Sequence, residues 1–197
     1  MLGSEAGKPA TLGNVAFLDS FRAEHFRFGC PAFSLKQARC PNCACFDSLI
    51  RHSILYGNGP PGSEDRVKRG QRVLCSNRDK RRGCGHTFPI FLSDVLPRHT
   101  VTATVLWTFI QALLAGLSLR AAAKKLPLAL ETFYGLRRKM RIKLDILRTR
   151  LLGSRSPPHS KRSDPLLATF ELLSTMFAGR SCPLAAFALR FQISFLD

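Results

Sequence analysis

The chain has 197 residues, 45% of them hydrophobic, which is enough apolar content for one ordinary domain or two small ones. Its 30 Lys and Arg against 13 Asp and Glu give a formal net charge of +17, which indicates a polyanionic partner such as nucleic acid or an anionic membrane surface. The 7 cysteines are an odd number, which excludes a closed set of disulfides that uses all of them.

Residues 1–39 contain glycine, proline and scattered phenylalanine without a sustained period, and we expect a loosely ordered arm there. Residues 14–28 are a candidate short helix, because Val15, Leu18 and Phe21 fall near one face. Packing of the phenylalanines on the segment that follows is the favoured alternative. No apolar run precedes Pro9, so we expect no signal peptide and a cytoplasmic location.

Four cysteines from two distant places in the chain predict a zinc site. Cys40 and Cys43 are two residues apart with Pro41 and Asn42 between them, a spacing that places two thiolates on one side of a tetrahedral ion. Cys75 and Cys84 form the second half, although eight residues separate them where a tight knuckle has two. We therefore expect Zn²⁺ bound by Cys40, Cys43, Cys75 and Cys84.

The fourth zinc ligand has competitors. His86 could replace Cys84, and Cys45 lies close enough to Cys43 to compete. Free thiols or disulfides are the other interpretations of these cysteines, but disulfides need an oxidising compartment. Zinc is the favoured interpretation.

Residues 40–92 are predicted to form a small zinc-ribbon β-hairpin module. Residues 47–54 show a short apolar alternation, and residues 70–74 are typical of a strand leading into Cys75. Residues 57–62 have the composition of a loop within the ribbon. Eight cations crowd residues 66–82 and favour phosphate contact, with Arg69, Arg72, Arg81 and Arg82 as the candidate nucleic-acid ligands.

Residues 101–119 carry no charge and must be weighed as a membrane span. Thr102, Thr108 and Gln111 lower the hydrophobicity of this run, and a cationic pattern of short helices follows it at once. A buried helix over residues 102–115, with its N-cap at Thr100 or Thr102, is therefore favoured.

Residues 100–150 have the rhythm of a helix-turn-helix. Ser118 is a plausible N-cap for a two-turn helix, and Pro127 cannot continue that helix. A third helix begins near Ala129 or Leu130 and continues through Arg150. Any packing of three helices has this order of helices and short turns. The cationic third helix nevertheless favours a DNA-binding helix-turn-helix, in which this third helix is the second helix of the motif and enters the major groove. Leu130, Glu131 and Tyr134 are the candidates for base edges, and Arg137, Arg138 and Arg141 for phosphates.

The last segment divides into a linker and an apolar stretch. Residues 151–164 are a flexible basic linker by composition. Pro165 can start a helix with an apolar stripe that ends at Gly179, and residues 183–196 form a largely apolar helix or strand. The apolar C-terminal segment, residues 165–197, needs a partner, either the ribbon and helices or another protein.

Taken together, these residues resemble the amino-terminal region of bacterial insertion-sequence transposases. The resemblance is carried by Cys-Pro-x-Cys, Gly-Gln-Arg before a cysteine, and Cys-Gly-x-Thr-Phe, followed by the run from Gly116 to Arg138. It implies a zinc ribbon and a helix-turn-helix that bind the terminal DNA of the element. The expected fold is therefore α+β, a zinc-ribbon hairpin module followed by an α-helical bundle.

We expect no enzymatic activity from this chain. A transposase site needs three carboxylates to hold two divalent metals, and the residues after Phe88 offer few carboxylates and too little length for a catalytic α/β domain. The predicted function is zinc-dependent binding of double-stranded DNA. We expect no membrane partner, and any catalysis would be supplied by a separate chain. An RNA- or ribosome-associated zinc ribbon is the alternative function, and homodimerisation stays open.

Overall fold

The computed structural model describes residues 16–18, 20–21, 26–27, 32–33, 35–59, 65–78, 81–126, 128–153 and 162–196. It is a mixed α+β structure, so the predicted fold class is confirmed at that level. The chain forms two compact units, residues 1–56 with 68–92 and residues 57–67 with 93–197.

The described residues before 40 form short strands and one turn of 3-10 helix. Strand β1 is Ala16–Leu18, and strands β2 (Ser20–Phe21), β3 (Phe26–Arg27) and β4 (Ala32–Phe33) form a small antiparallel sheet. The candidate helix over residues 14–28 is therefore wrong. The three residues of β1 pair in parallel with residues 90–92 of a later strand. Local periodicity does not show a pairing over this distance in the sequence. Most of the expected arm, residues 1–39, lies outside the described residues.

A four-stranded sheet forms the body of the first unit. It contains β5 (Leu49–Asn58), β6 (Arg66–Cys75) and β7 (Thr87–Leu92) in the order β1-β7-β6-β5. Strands β6 and β7 are antiparallel, and the five pairs between them run from Gly70↔Phe91 to Leu74↔Thr87. The strand expected over residues 70–74 is confirmed and is longer than predicted.

The core of this sheet is small and includes two of the cysteines. Val73, Phe88 and Ile90 are buried, and Cys40 and Cys75 are buried with them. Arg72 points outward between buried neighbours, as the alternation of a half-buried strand requires. The apolar face of the ribbon is therefore continuous with the cysteines.

The second unit contains six α-helices in the described part of the chain. They are α1 (Ala103–Leu114), α2 (Leu119–Ala123), α3 (Leu130–Ile142), α4 (Leu144–Leu152), α5 (Pro165–Met176) and α6 (Pro183–Phe191). Fully buried phenylalanines lie at the centre of the bundle, and the rings of Phe109 and Phe133 stack with centroids 4.3 Å apart. In the part of the chain that the structure describes, no helix has the length and apolar character that crossing a membrane requires.

Several predicted helix ends are confirmed. The Thr102 hydroxyl accepts a hydrogen bond from the Val105 amide at 3.3 Å and caps α1. The Ser118 hydroxyl caps α2 in the same way, through the Ala121 amide at 3.2 Å. Each cap satisfies an amide that has no partner within its helix, so these serine and threonine signals fix where the two helices begin.

The single long helix expected from residue 130 to 150 is wrong, because a one-residue turn at Lys143 divides it into α3 and α4. Met140, Leu147 and Leu151 are buried on both sides of this turn. Their spacing keeps one apolar face across the break. The hydrophobic pattern is therefore the same for one helix or two and could not reveal the turn.

The apolar C-terminal segment packs into the helical unit. Pro165 starts α5 as predicted, but the helix ends at Met176 and Gly179 lies in the turn that follows, with φ +79°. Residues after α6 continue without regular structure, yet Phe195 is buried and meets the Phe187 ring edge-on at 5.6 Å. This segment was expected to pack either on the ribbon and helices or on another protein, and it packs on the helices. Residues 154–161 of the expected linker lie outside the described residues.

Candidate metal centre and nucleic-acid interface

The four thiols predicted to bind metal lie together. The Sγ atoms of Cys40, Cys43, Cys75 and Cys84 are all within 4.8 Å of one another. Cys40 Sγ is 3.7 Å from Cys84 Sγ, and Cys43 Sγ is 3.6 Å from Cys75 Sγ. These distances are too long for disulfides, whose sulfurs lie about 2 Å apart. The convergence of the four thiols is therefore confirmed.

The first pair of thiols is held by a tight loop between Cys40 and Cys45. The Ala44 amide donates to the Cys40 carbonyl at 2.9 Å, and the Cys40 amide donates to the Cys45 carbonyl at 3.0 Å. Ala44 takes a left-handed conformation with φ 57° to close the loop. The Asn42 amide then points at Cys40 Sγ, 3.4 Å away. Backbone amides aimed at a sulfur stabilise a thiolate, which is the form that binds metal.

The second pair is brought together by the β6–β7 hairpin. The Cys75 amide donates to the His86 carbonyl at 2.9 Å, and the Gly85 amide donates to the Cys75 carbonyl at 2.8 Å. Cys75 therefore lies across the hairpin from the segment that contains Cys84. Hydrogen bonds at the two ends of the intervening stretch, from Gly83 to Ser76 and from Gly85 to Cys75, keep the two cysteines together despite their irregular spacing.

Gly83 closes the stretch of chain between Cys75 and Cys84. Its amide donates to the Ser76 carbonyl at 3.0 Å, and a Cβ at this position would overlap the same carbonyl oxygen. The Cys84 amide then reaches Cys75 Sγ at 3.3 Å. Ser48 completes the surroundings of Cys75, with Oγ 3.2 Å from Sγ in a buried position. The backbone approach that glycine permits is thus what delivers the fourth sulfur.

The thiols differ in how readily they lose a proton. Burial raises the pKa of the Cys40 thiol to about 12, against the opposing effect of the Cys43 and Asn42 amides. The Cys45 backbone amide lowers the pKa of the Cys43 thiol to about 6. Burial also raises the pKa of the Cys84 thiol. A cation entering the cluster must therefore displace protons, and metal binding releases them.

The sulfur positions fit a tetrahedral ion. A zinc–sulfur bond of about 2.3 Å gives a sulfur–sulfur edge of about 3.8 Å, close to the 3.6 Å of Cys43–Cys75 and the 3.7 Å of Cys40–Cys84. Four sulfur donors suit Zn²⁺ or iron and leave no open coordination position, as in structural sites. The cluster is a possible metal-binding site that would hold the loop of the first pair against the hairpin.

The competitors for the fourth ligand position lie outside this group. The Cys45 thiol donates to the Arg82 carbonyl, with Sγ 2.8 Å from the oxygen. The His86 side chain is exposed, and His86 meets Cys75 through its backbone carbonyl. Among the described residues, Cys40, Cys43, Cys75 and Cys84 form the one group placed to hold a metal ion.

Helix α3 presents a cationic outer face. Phe133, Leu136 and Met140 are buried and fix the inner face of the helix against the bundle. The exposed face carries four of the residues predicted to contact DNA: Glu131, Tyr134, Arg138 and Arg141. Two predicted contact residues are less exposed than these four. Leu130 is half-buried against the bundle core, and the Arg137 side chain, at the edge of this face, is 34% exposed beside Asp164.

The candidate phosphate ligands of the ribbon are all at least partly accessible. Arg72 and Arg82 are exposed, whereas Arg69 and Arg81 are half-buried. Arg82 also supplies the carbonyl that the Cys45 thiol contacts, so this cation is adjacent to the cysteine cluster.

Sequence reasoning missed the acidic partner of α3. Asp164 is the N-cap of α5, where one carboxylate oxygen accepts from the Leu166 amide at 2.9 Å. The other oxygen lies 3.4 Å from Arg137 and 3.5 Å from Arg141. The Asp-Pro pair that opens α5 could have indicated the cap, but no local pattern connects it with arginines more than twenty residues earlier.

Protein-family models, curated proteins and solved structures contain no match to this chain. Its function is inferred from its own residues and their geometry.

Proposed function

We propose that this chain is a zinc-dependent DNA-binding protein of the transposase type, which binds the DNA of its element without a catalytic site of its own. The observation that carries the proposal is the outer face of α3, where an exposed tyrosine and exposed arginines stand on a helix fixed by buried residues. A rigid helix with this face suits the major groove of duplex DNA, which admits one α-helix.

The arrangement of α2 and α3 supports a helix-turn-helix role. Helix α2 begins at its Ser118 cap, packs on α1 and on α3, and is followed by a short turn before Leu130. In such motifs the second helix reads base edges with residues near its start. Glu131 and Tyr134 are exposed in the first turns of α3, while Arg138 and Arg141 follow at spacings that suit phosphates.

The cysteine cluster supports the zinc part of the proposal. Four sulfurs within 4.8 Å of one another come from two segments of the chain, and small modules of this kind fold around their metal. Zinc bound there is structural and keeps Arg72 and Arg82 on a fixed surface.

The absence of catalysis is proposed from the roles that two carboxylates already have. The Asp94 carboxylate accepts from the amide and the hydroxyl of Thr104, at 2.8 and 2.6 Å. Asp164 caps α5 and meets two arginines. Any strand transfer is then the work of a separate chain, and the present chain positions the DNA.

Fluorescence anisotropy with a labelled duplex tests the interface on α3. Arg138→Gln is expected to weaken binding and to reduce the slope of log affinity against log salt by about 0.9, the value for one lost phosphate contact. Arg180→Gln is the matched control, because Arg180 is an exposed arginine in the turn after α5. Equal effects of the two substitutions would show that binding follows net charge and would refute α3 as the interface.

A second arm separates DNA from RNA recognition. Duplex DNA and structured RNA are titrated side by side at several salt concentrations, and the proposal expects tighter binding to DNA. Equal and steeply salt-dependent affinity for both would favour the alternative of an RNA- or ribosome-associated zinc ribbon, which the net charge of +17 also suits.

A further inference from the structure

Asp164 places one negative charge at the arginines of α3. Its Oδ2 lies 3.4 Å from Arg137 Nη2 and 3.5 Å from Arg141 Nη2, so a single oxygen faces two guanidinium groups. The Arg137 and Asp164 side chains are 34% and 26% exposed, and solvent therefore reaches the pair. The distances exceed the 2.7–2.9 Å of strong charge-assisted hydrogen bonds, which indicates a weak and exchangeable contact.

The carboxylate is fixed in position by the segment around it. Its Oδ1 accepts from the Leu166 amide at 2.9 Å, and the Leu166 side chain is buried. Two residues earlier, the Arg162 guanidinium donates to the Leu114 carbonyl at 2.8 Å and so ties the segment to the end of α1. Asp164 is thus part of the folded bundle and stays opposite α3.

The arginines beside Asp164 also line a groove. Tyr134, Arg137, Arg138, Arg141 and Ile142 line a shallow groove along α3 that is open to solvent and has a volume of about 420 Å³. This volume admits a phosphodiester with part of its sugar, and the lining offers guanidinium donors and one aromatic ring. A phosphate oxygen in the groove would accept hydrogen bonds from the same guanidinium N–H groups that face the Asp164 carboxylate.

We propose that Asp164 is an intramolecular competitor of nucleic-acid phosphates for Arg137 and Arg141. This inference rests on the proposed function and adds a regulation to the same interface. Binding of a duplex exchanges the carboxylate for phosphate oxygens at the two guanidiniums, so the chain holds DNA less tightly than its three arginines would allow. Asp164 thereby lowers affinity while it also caps α5.

Asp164→Asn tests this competition. Asparagine is as good an N-cap as aspartate, so the substitution removes the charge and keeps the cap. The variant is expected to bind a labelled DNA duplex about three- to ten-fold more tightly, since two half-exposed ion pairs no longer oppose the phosphates. Circular dichroism melting verifies that the bundle remains folded.

Glu171→Gln is the matched control. Glu171 lies on the same helix and pairs with Arg162 at 3.7 Å, so the substitution changes net charge equally without touching the α3 arginines. Its affinity is expected to stay within about two-fold of the original chain. In a chain that carries Arg137→Gln and Arg141→Gln, Asp164→Asn is expected to have no further effect.

The outcomes separate this inference from the proposed function. Equal gains from Asp164→Asn and Glu171→Gln would refute the competition, and so would weaker binding by Asp164→Asn, which would make the carboxylate a positioning group. Unchanged duplex affinity in Arg138→Gln would instead refute α3 as the interface, and with it the exchange at Arg137 and Arg141.

Discussion

Replacement of Cys84 by serine tests the most specific geometric feature of the chain. A serine hydroxyl keeps the size of the side chain but does not supply a thiolate ligand at neutral pH. Cys84 Sγ lies 3.7 Å from Cys40 Sγ, and the serine would leave three sulfurs at the corners of an incomplete tetrahedron. We expect Cys84→Ser to lose its metal.

The magnitude follows from the fit of the cluster. The Cys43–Cys75 and Cys40–Cys84 edges, 3.6 and 3.7 Å, differ by no more than about 0.2 Å from the value of about 3.8 Å in a zinc tetrathiolate, so the ion enters with little rearrangement of these pairs. Removal of groups that merely touch a ligand costs about 10–100-fold in metal affinity. Loss of a ligand is expected to exceed this range, which is more than about 2.8 kcal/mol.

Elemental analysis by mass spectrometry and competition with a chelator measure metal content and affinity. Cys45→Ser is a second informative variant, because the Cys45 thiol donates to the Arg82 carbonyl and is not one of the four ligands. This substitution is expected to lower the metal affinity by no more than about 100-fold. Cys182→Ser is the matched control, because Cys182 is a buried thiol at the start of α6 in the helical unit and its side chain makes no cap hydrogen bond. One equivalent of tightly bound metal in Cys84→Ser, or loss of metal from Cys45→Ser alone, would refute the assignment of the four ligands.

Four further predictions concern stability, and the single tryptophan, Trp107, reports on the unfolding of the helical unit by fluorescence. Gly83→Ala is expected to speed metal release to a chelator and to destabilise the ribbon by about 1–3 kcal/mol, because its Cβ would overlap the Ser76 carbonyl; unchanged release would contradict this. Asp164→Ala is expected to cost about 1 kcal/mol through the lost cap, whereas Asp164→Asn keeps it. Burial raises the pKa of Asp164, but the Leu166 amide, Arg141 and Arg137 together outweigh it and hold the pKa below its usual value. The charged carboxylate therefore stabilises the fold above the unfolded pKa of about 3.9, and denaturation at several pH values should show this contribution fading as the pH falls through the folded pKa. Phe195→Ala is expected to cost about 3–5 kcal/mol because the Phe195 side chain is 1% exposed. Phe191→Ala is the control and should cost less, because Phe191 is half-buried.

Features with local signals were predictable from the sequence. Thr102 and Ser118 cap helices where their side chains suggested, and Pro165 opens α5. Two thiols two residues apart indicated half of a metal site, and the other two thiols complete it. The two caps, the proline and the Cys40–Cys43 pair each act within a few residues of their effect, and so one sequence suffices to interpret them.

Features that depend on distant contacts were not predictable in the same way. Strand β1 exists because Ala16–Leu18 pairs with β7, more than seventy residues later. The turn at Lys143 leaves the hydrophobic pattern unchanged, so periodicity could not locate it. The contacts of Asp164 with Arg137 and Arg141 depend on how α5 packs against the rest of the bundle. Tertiary packing, which local propensity does not encode, determines the pairing of β1 and the contacts of Asp164.

The loop between Cys75 and Cys84 is closed at its base, so the geometry of the metal site does not depend on the length of this loop. The hydrogen bonds of Gly83 and Gly85 seal the base of the loop, so the two sulfurs stay neighbours whatever lies between Ser76 and Gly83. Doubling such a loop costs only about 0.6 kcal/mol of closure entropy. Insertions and charge changes in this loop are therefore expected to leave the ligand set intact.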